Sequence, residues 1–487
     1  MIESVNRSKR RPVGAWISAI CLFLLLLVAT NICTAWGVRR VFLMGTESDS
    51  VMTATEKTVV LAAAEFPVTA RNAMYTLFNK QLRPLLLRTS DKEQSSWVRQ
   101  FPFQQDSGYL LLSGLYRNEA ATGVKLIRVA DGHVMASWSP DWDQILAKIS
   151  RKKYSDVGPS NITATNPLLL DNADIIFETD NASVRLPACS RQPRWVLDEA
   201  MHHSTALDSS GMSYWSPSIE PQGFTKNSFL RTMVRNDAIA KISLDGRLLY
   251  RRGFDQILHD NNLDFLLFNG SNAGDANTDP IHLNQIKAAP SDTKYWKKGD
   301  LLVSLRSPNT VLLYRPSENK VIWRQTGPWI HQHSADFVND HQISVFNNNS
   351  VLRIAPPTTA AAETNSFDFL TPDSVNEVMV YDFDTNQITQ PYKPLLDAAR
   401  PRSVTQGRAR ILPDGGLFLE ETDNGRILRF SKDKLLWSFV NDYDDKHLGA
   451  LAWSSYLTAE EARGPLAALK TAGCLSETPA GAPVTGS

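Results

Sequence analysis

Three histidines recur at one position of an internal repeat in this chain. His203, His282 and His333 each open a segment with the pattern His-x-x-x-apolar, namely HSTAL, HLNQI and HSADF. Each segment leads through a turn into a β-rich run such as DLLVSLR or QISVFNN. A repeat that places imidazoles at equivalent positions in successive units can direct them at one axis. We therefore expect these three residues to share one site.

An arginine follows the second of these histidines in a suitable place. Arg306 closes the run DLLVSLR, which can return its side chain to the end of the sheet where His282 lies. A guanidinium offers a planar fork of donors to a tetrahedral oxyanion, and a neutral imidazole is a competent nucleophile or general base near pH 7. Together these groups suit the transfer of a sulfuryl or phosphoryl group.

The same residues allow less specific interpretations. A lone histidine in a β protein is more often structural than functional, but the shared register of three favours function. Three histidines also suit zinc. The sequence shows no clear carboxylate partner for them, so we predict neither a metal nor another cofactor. Five further histidines are expected on the surface or in turns: His133, His259, His331, His341 and His447.

The elements that must position these side chains are short strand pairs. Each pair is joined by a turn of Asp, Asn, Gly or Lys, residue types typical of tight hairpins. The unit 168–195 fits this pattern more loosely and brings the number of units to six. The clearest pairs are KLIRVADGHVMASW, IAKISLDGRLLYRR, VLLYRPSENKVIWRQ, VMVYDFDTNQITQ and ILRFSKDKLLWSF.

Six units of this kind predict an all-β fold, a six-bladed β-propeller over residues 103–440. Radial closure leaves few exposed sheet edges, which suits many short strands at regular spacing. A pair of β-sandwiches is the alternative, but it does not explain why the histidines keep one position in each repeat. In a propeller they begin three consecutive innermost strands and converge on the central channel.

The N-terminal part of the chain predicts a membrane anchor. A basic tail, residues 1–12, precedes an apolar run over 13–38 that is long enough to cross a bilayer as a helix. A cleaved signal peptide is the alternative. We expect a helical stalk over 39–102 and a C-terminal tail over 441–487 with a short helix and a disordered end. The expected location is the inner membrane, single-pass, with the propeller on the periplasmic side.

Charge and cysteine content narrow the choice of partners. The chain has 51 basic and 51 acidic residues, so it carries no net field that would hold nucleic acid nonspecifically. Cys189 and Cys474 are the two cysteines outside the predicted membrane helix. An oxidising compartment would allow them to pair, and otherwise they are two inert thiols.

Several motifs give the chain a resemblance to a known family. The runs MHHSTALDSSGMSYW, DPIHLNQI and KKGDLLVSLRSPNTVLLYRPSENKVIWRQTGPWIHQHSADFVNDHQISVFNN resemble the bacterial arylsulfate sulfotransferases, which are six-bladed propellers that work outside the cytoplasm. The resemblance covers about Trp195 to Val440 and is strongest from Asp279 to Asn348. The chain departs from it at Ser204, where relatives commonly have aspartate.

The resemblance implies a role for each candidate residue. The transiently sulfated histidine of the family's Gln-His motif falls on His333, with Gln332 before it. The His-x-Asn motif falls on His282 and Asn284, and the remaining two matches fall on Arg306 and His203. By this reading His333 is the nucleophile and His282 the general acid/base. Arg306 and His203 bind the sulfuryl oxygens, and Asn284 and Gln332 bind substrate.

The implied reaction moves a sulfuryl group from an aryl sulfate to a phenol or another hydroxyl acceptor, without a nucleotide sulfate donor. Two further hypotheses remain from the residues alone. One is a noncatalytic propeller that scaffolds envelope proteins, since fold does not fix function. The other is a propeller hydrolase or lyase that uses a bound metal.

Overall fold

The structure is a computed structural model of the chain. It describes residues 21–33, 36–37, 59, 86–88, 97–99, 106–117, 119, 121–150, 162–179, 181–220, 235–268, 279–349, 352–353, 368–369, 375–444 and 447–476. The chain divides into two compact units, one of Met1–Lys80 with Lys226–Leu230 and one of Gln81–Thr225 with Arg231–Ser487. Each unit is described below by itself.

Strands dominate the described part of the second unit. In chain order they are β1 (Leu86–Arg88), β2 (Trp97–Arg99), β3 (Tyr109–Gly114), β4 (Gly123–Arg128), β5 (Val134–Trp138), β6 (Thr165–Leu169), β7 (Ile175–Glu178), β8 (Ser183–Leu186), β9 (Trp195–Leu197), β10 (Ala206–Leu207), β11 (Ser213–Ile219), β12 (Asp237–Ser243), β13 (Leu248–Gly253), β14 (Leu283–Ala288), β15 (Leu301–Leu305), β16 (Thr310–Arg315), β17 (Lys320–Thr326), β18 (Ala335–Phe337), β19 (Gln342–Asn347), β20 (Leu352–Arg353), β21 (Asp368–Phe369), β22 (Glu377–Asp382), β23 (Gln387–Thr389), β24 (Arg408–Ile411), β25 (Leu417–Glu421), β26 (Arg426–Phe430), β27 (Leu435–Val440), β28 (His447–Gly449) and β29 (Ser455–Leu457).

These strands build six antiparallel blades, which confirms the predicted propeller. From the inner to the outer strand, the blades are β29-β3-β4-β5, β6-β7-β8-β9, β10-β11-β12-β13, β14-β15-β16-β17, β18-β19-β22-β23 and β24-β25-β26-β27-β2, and we number them 1 to 6 in this order. Two small pairs, β1 with β28 and β20 with β21, complete the described sheets. The five clearest predicted hairpins are the third and fourth strands of their blades, counted from the innermost strand. Left-handed backbone at Gly132, Gly246, Asn319 and Asn386 makes four of these tight turns.

Strands from both ends of the described propeller complete the ring. β29 supplies the innermost strand of blade 1, and β2 adds a fifth, outermost strand to blade 6. The propeller therefore extends beyond the predicted bounds of 103 and 440 on both sides. The repeat pattern could not show this, because a single strand that pairs with a distant part of the chain carries no hairpin signal of its own. β29 thereby covers the inner edge of β3, and β2 covers the outer edge of β27.

The core lies between neighbouring blades. One apolar cluster joins blades 1 and 2 through Leu126, Trp138, Ile175 and Phe177, all of which are buried. Corresponding clusters join blades 3 and 4, 4 and 5, 5 and 6, and 6 and 1. Because each blade packs on both neighbours, the start of every inner strand is held at a fixed place around the central axis.

Helices are few in the described part of this unit. They comprise Trp142–Leu146, Phe254–Asp260, Phe265–Phe268, Lys393–Ala399 and Ala459–Thr471, with a 3-10 turn at Thr422–Asn424. Thr458 caps Ala459–Thr471 in a capping box with Glu461. This helix is the one predicted in the C-terminal tail, and its Leu469 is buried in the core of blades 1 and 2.

A disulfide fastens this last helix to blade 2. Cys474, just after the helix, pairs with Cys189, which lies between β8 and β9, with a Cα–Cα distance of 5.8 Å. Of the two alternatives that the sequence left open, the structure therefore has the bridge.

The first unit is described over a short stretch. Residues 21–33 are helical, with apolar side chains exposed along them. Within the described residues no helix is both long and apolar enough to span a bilayer. Of the predicted anchor (13–38), residues 13–20, 34–35 and 38 lie outside the described residues, as does most of the predicted stalk (39–102). The exceptions in the stalk range include β1 and β2, which are strands rather than helix.

Candidate active site

The three repeated histidines lie where the sequence predicted, at the starts of consecutive inner strands. His203 precedes β10, His282 precedes β14 and His333 precedes β18. Their ring nitrogens come within 4.8 Å of one another. The ring centroid of His203 is 5.2 Å from that of His282 and 6.4 Å from that of His333. The convergence of the three imidazoles is thus a structural fact, whereas their catalytic roles stay predictions.

The backbone at the starts of the inner strands is unusual. Left-handed φ values occur at Asn166, His203, His282, His331, Gly407 and Trp453, which lie at or just before the inner strands of blades 2, 3, 4, 5, 6 and 1. Only one of these residues is glycine, and a non-glycine residue in this region carries a cost of order 1–3 kcal/mol. The repeat therefore turns the chain sharply at the same place in every blade and directs two of the three histidines toward the axis.

Each histidine has its Nδ1 atom occupied by a different neighbour. In His282 it lies 2.6 Å from a carboxylate oxygen of Asp279, and in His333 it lies 2.6 Å from the amide oxygen of Asn348. In His203 it lies 2.7 Å from Nδ1 of His202. Nε2 is therefore the nitrogen that each ring has available for a ligand.

His202 connects the site to a buried charge pair. Its Nε2 lies 3.4 Å from the carboxylate of Asp237, which also accepts hydrogen bonds from Nε of Arg235 and the backbone N–H of Leu283. Burial alone would raise the pKa of Asp237, but the charges of Arg235 and His202 hold it far below its ordinary value. The carboxylate therefore stays ionised and fixes the orientation of the histidine pair.

Burial keeps two of the three central imidazoles neutral. It lowers the pKa of His203 well below the ordinary histidine value, helped by His202 and His282. The pKa of His333 is likewise lowered well below that value, first by burial and then by the guanidinium of Arg306. A neutral ring keeps a free lone pair, which is the form that can attack an electrophile. His333 is fully buried, and its Nε2 has no hydrogen-bond partner among the residues the structure describes.

Arg306 lies at the end of β15, as predicted. Its backbone N–H donates to the carbonyl of His282, which ties the two residues together at 3.0 Å. Burial lowers the pKa of its side chain, against the opposing charges of Asp279 and Asp423. Its buried Nε has no hydrogen-bond partner within the described part of the chain. A partly buried guanidinium with an available N–H donor is a suitable group for binding an anion.

Asn284 and Gln332, the two predicted substrate ligands, are both fully buried. Gln332 directs its Nε2 into blade 4, onto Ser304 Oγ and the carbonyls of Leu305 and Thr310. The Nδ2 of Asn284 donates to the carbonyl of Gln332 at 2.8 Å. These contacts fix the segment that carries His333, and a substrate contact by either side chain stays a prediction.

Trp453 was not among the predicted site residues. Its buried ring lies 6.0 Å from that of His203 and 6.2 Å from that of His333, both edge to face. It comes from the segment just before β29, and its backbone N–H donates to the buried carboxylate of Glu420. The closing strand of blade 1 therefore brings an aromatic wall to the histidines.

Arg408 holds the inner strands on this side together. Its guanidinium donates to Asn166 in blade 2, to Ser455 in blade 1 and to the carbonyl of Trp453. Burial lowers its pKa, although the charges of Glu420 and Asp336 oppose this. Arg408 therefore donates its hydrogen bonds within the protein, whereas Nε of Arg306 has no partner among the described residues.

The histidine nitrogens are spaced such that a metal ion could approach all three. Asp279 and Asp237 also supply carboxylate partners that the sequence analysis did not find, so the argument against zinc from a missing second shell was wrong. The charge of Arg306 beside His333 nevertheless disfavours a cation and favours an anion.

Comparison with known families adds an independent observation. The family described as arylsulfotransferase (ASST) matches residues 196–442. The chain belongs to this family. The match includes His203, His282, Arg306 and His333, whereas Trp453 and the closing strand lie outside it. No curated protein matches this arylsulfotransferase family member.

Solved structures resemble it only distantly. A Bacteroides caccae protein of unknown function is 11% identical with a TM-score of 0.42, over 72% of this chain and 99% of that one. The periplasmic gluconolactonase of Pseudomonas aeruginosa is 14% identical with a TM-score of 0.37, over 72% of this chain and all of the other. TolB from Acinetobacter baumannii is 11% identical with a TM-score of 0.37, over 74% and 68% of the two chains. Likenesses at this level carry no argument about the activity of this arylsulfotransferase family member.

Proposed function

We propose that the chain transfers a sulfuryl group from an aryl sulfate to a phenol or another hydroxyl acceptor. The observation that carries this proposal is that Nε2 of the buried, neutral His333, beside Arg306, has no hydrogen-bond partner among the described residues and lies in the region that matches the family. A lone pair in that position can attack a sulfur atom whose oxygens are held by cationic and N–H donors.

The reaction then runs in two transfers. Nε2 of His333 forms a bond to sulfur while the bond from sulfur to the aryl oxygen breaks, and the phenolate leaves with the electron pair. A protonated His282 gives its Nε2 proton to this oxygen, and Asp279 stabilises the imidazolium before the proton is given. The acceptor hydroxyl next loses its proton to His282 and takes the sulfuryl group, and the electron pair of the N–S bond returns to His333.

The remaining central residues stabilise charge on the sulfuryl oxygens. Arg306 supplies a guanidinium fork, and His203, held by its bond to His202, supplies a ring nitrogen. Asn284 and Gln332 hold the segment of His333 and keep a buried amide oxygen each that is unpartnered among the described residues. No metal or nucleotide is needed in this scheme.

The test uses the purified full chain with a chromogenic aryl sulfate and no acceptor. We expect a burst of about one phenol per site and a sulfuryl adduct on the peptide that contains Gln332 and His333. His333→Ala should abolish both the burst and the adduct. His341→Ala, a histidine of the same blade that is partly exposed and bonded to Asp340, is the matched control and should keep both. An adduct on another residue, or turnover in His333→Ala, would refute the assignment.

We also propose that residues 13–38 anchor the protein in the inner membrane, with the propeller on the periplasmic side. The proposal is supported by the basic residues before an apolar run of spanning length, and by the Cys189–Cys474 pairing, which suits an oxidising compartment. The protein should sediment with membranes until detergent releases it, and its mature N-terminus should precede residue 13. A mature N-terminus beyond Ala35 in the mass spectrum would show a cleaved signal peptide instead.

A further inference from the structure

Two imidazoles of the site make hydrogen bonds of equal length to partners of different charge. Nδ1 of His282 faces the carboxylate of Asp279, and Nδ1 of His333 faces the neutral amide of Asn348, each at 2.6 Å. A carboxylate stabilises a protonated ring, whereas an amide oxygen orients the ring without neutralising a positive charge on it. The two histidines are therefore prepared for different tasks.

The orientation of the Asn348 amide is fixed by its other contacts. Its Nδ2 donates to the carbonyls of Ser403 and Gln406, at 2.9 and 2.7 Å. A carbonyl oxygen can only accept, so the NH₂ end of the amide must face these two groups and its oxygen must face His333. Nδ1 of His333 must then carry the hydrogen and donate it. Nε2 keeps the lone pair, in a ring that is completely buried.

The Ser403 carbonyl, which accepts from Nδ2 of Asn348, lies in a loop that is itself fixed by hydrogen bonds. The carboxylate of Asp423 accepts from the backbone N–H groups of Val404 and Thr405, and the hydroxyl of Ser403 also donates to it. Asn376 binds both the carbonyl and the N–H of Ser403. The loop before β24 therefore presents two fixed carbonyl oxygens, those of Ser403 and Gln406, to position 348. An amide can donate to them, whereas a carboxylate at this position would be repelled by them.

We propose that Asn348 is a positioning residue that sets the tautomer of the His333 nucleophile and does not neutralise the positive charge of its sulfated form. This inference rests on the proposed sulfuryl transfer. When Nε2 bonds to sulfur, Nδ1 keeps its hydrogen and the ring becomes a cation. A carboxylate at this position would stabilise that cation and retain the sulfuryl group. The amide does not, so the ring remains a good leaving group for the second transfer.

The other charged and titratable groups that face His333 agree with this assignment. Arg306 lowers its pKa from blade 4, and His282 and His203 face it from blades 4 and 3. The carboxylate of Asp279 is bonded to His282 rather than to His333. The sulfated ring would therefore meet a guanidinium and imidazoles, and its two hydrogen-bonded partners, the Asn348 amide and the His331 backbone, are both neutral.

The first test reads the tautomer without any turnover. In full-length protein labelled with ¹⁵N-histidine and assigned with the help of His333→Gln, the His333 resonances should show a hydrogen on Nδ1 and a bare Nε2 at pH 7. Asn348→Ala should give a mixture of tautomers or the Nε2–H form. A wild-type ring that carries its hydrogen on Nε2, or an unchanged tautomer in Asn348→Ala, would overturn the proposal even if sulfuryl transfer is correct.

The second test separates formation of the adduct from its discharge. Asn348→Ala should slow the donor burst roughly 10- to 100-fold, as loss of an orienting partner does elsewhere. Asn348→Asp should keep a burst but give an adduct that transfers its sulfuryl group to an added phenol more slowly. The cationic sulfated ring favours ionisation of the new carboxyl group, and the resulting carboxylate stabilises the adduct. A purely structural role predicts that both steps slow by the same factor in both variants, and that result would overturn the proposal.

Asn349→Asp is the matched control. The Asn349 amide also donates to a backbone carbonyl, that of Val375, and the substitution adds the same negative charge one residue away from position 348. It should leave both half-reactions within about twofold of wild type. If wild type gives no burst while its tautomer is as expected, the proposed function has failed and the positioning role of Asn348 has not.

Discussion

Burial, more than any single contact, determines the state of the residues at the propeller axis. It lowers the pKa values of His203 and His333, and it leaves Nε of Arg306 without water or a protein partner among the described residues. The guanidinium is the main positive charge in direct reach of His333. These residues together place neutral imidazoles beside a guanidinium, the combination that the proposed transfer requires.

The geometry of Arg306 predicts that lysine cannot replace it. A guanidinium can donate two parallel hydrogen bonds to sulfuryl oxygens, whereas an ammonium acts as a point charge. Arg306→Lys should lower kcat/KM for an aryl sulfate by about 100-fold, comparable to the loss of one oxyanion donor. The same exchange at the exposed Arg324 is the control and should have little effect. Near-normal turnover in Arg306→Lys would show that the arginine is peripheral.

The buried histidines also predict how stability varies with pH. Their folded-state pKa values lie below the unfolded value of about 6.5, so the unfolded chain binds more protons as the pH falls below 6.5. Each such histidine should lower the free energy of unfolding by about 1.4 kcal/mol per pH unit between its unfolded and folded pKa values. Urea titrations from pH 6.5 to 5 should show a shallower slope in His333→Gln than in wild type. His259→Gln, on an exposed ring, should keep the wild-type slope, and equal slopes in all three proteins would contradict the prediction.

Part of this site could be read from the sequence, and the rest depends on packing. The shared repeat position predicted that His203, His282 and His333 converge, because equivalent residues of a closed ring face one axis. Asp279 also left a signal, since it stands three residues before its histidine in DPIH. Asn348 and Trp453 left none, because their contacts arise only when a distant strand or loop is placed beside the ring.

At the level of elements, the inner strands combine regular pairing with an irregular start. The outer hairpins follow ordinary turn chemistry, and the sequence located them correctly from Asp, Asn and Gly in their turns. Four of the six left-handed residues at the inner strand starts are histidine or tryptophan, which do not indicate a turn in the way that glycine does. Strand pairs could therefore be predicted from composition, whereas the backbone that directs the histidines could not.

At the level of the whole molecule, closure of the ring uses both ends of the described propeller and a covalent link. β29 and β2 complete blades 1 and 6, and the Cys189–Cys474 bridge ties the final helix to blade 2. The sequence could not predict this arrangement, because strands that pair across more than 300 residues are set by the ring and not by local pattern.

The bridge predicts that the stability of the propeller depends on oxidation. It closes a loop of 285 residues, and constraint of the unfolded chain by a disulfide is worth about 2–5 kcal/mol. Cys189→Ser, or reduction of wild type, should therefore lower the free energy of unfolding by about that amount in denaturant titrations. Cys21→Ser, which removes a cysteine outside the bridge, should leave it unchanged. Equal midpoints for oxidised and reduced protein would show that the link does not support the fold.

The late position of β29 also has a consequence for biogenesis. Until residues 455–457 have been synthesised, blade 1 lacks its inner strand and presents an unpaired edge that could associate with other chains. Trp453 arrives with the same segment, so the wall beside the histidines is among the last parts to form. A nascent or truncated chain would therefore contain the histidines and the arginine but no enclosed site. The histidines and the arginine are thus enclosed only after the ribosome has passed residue 457.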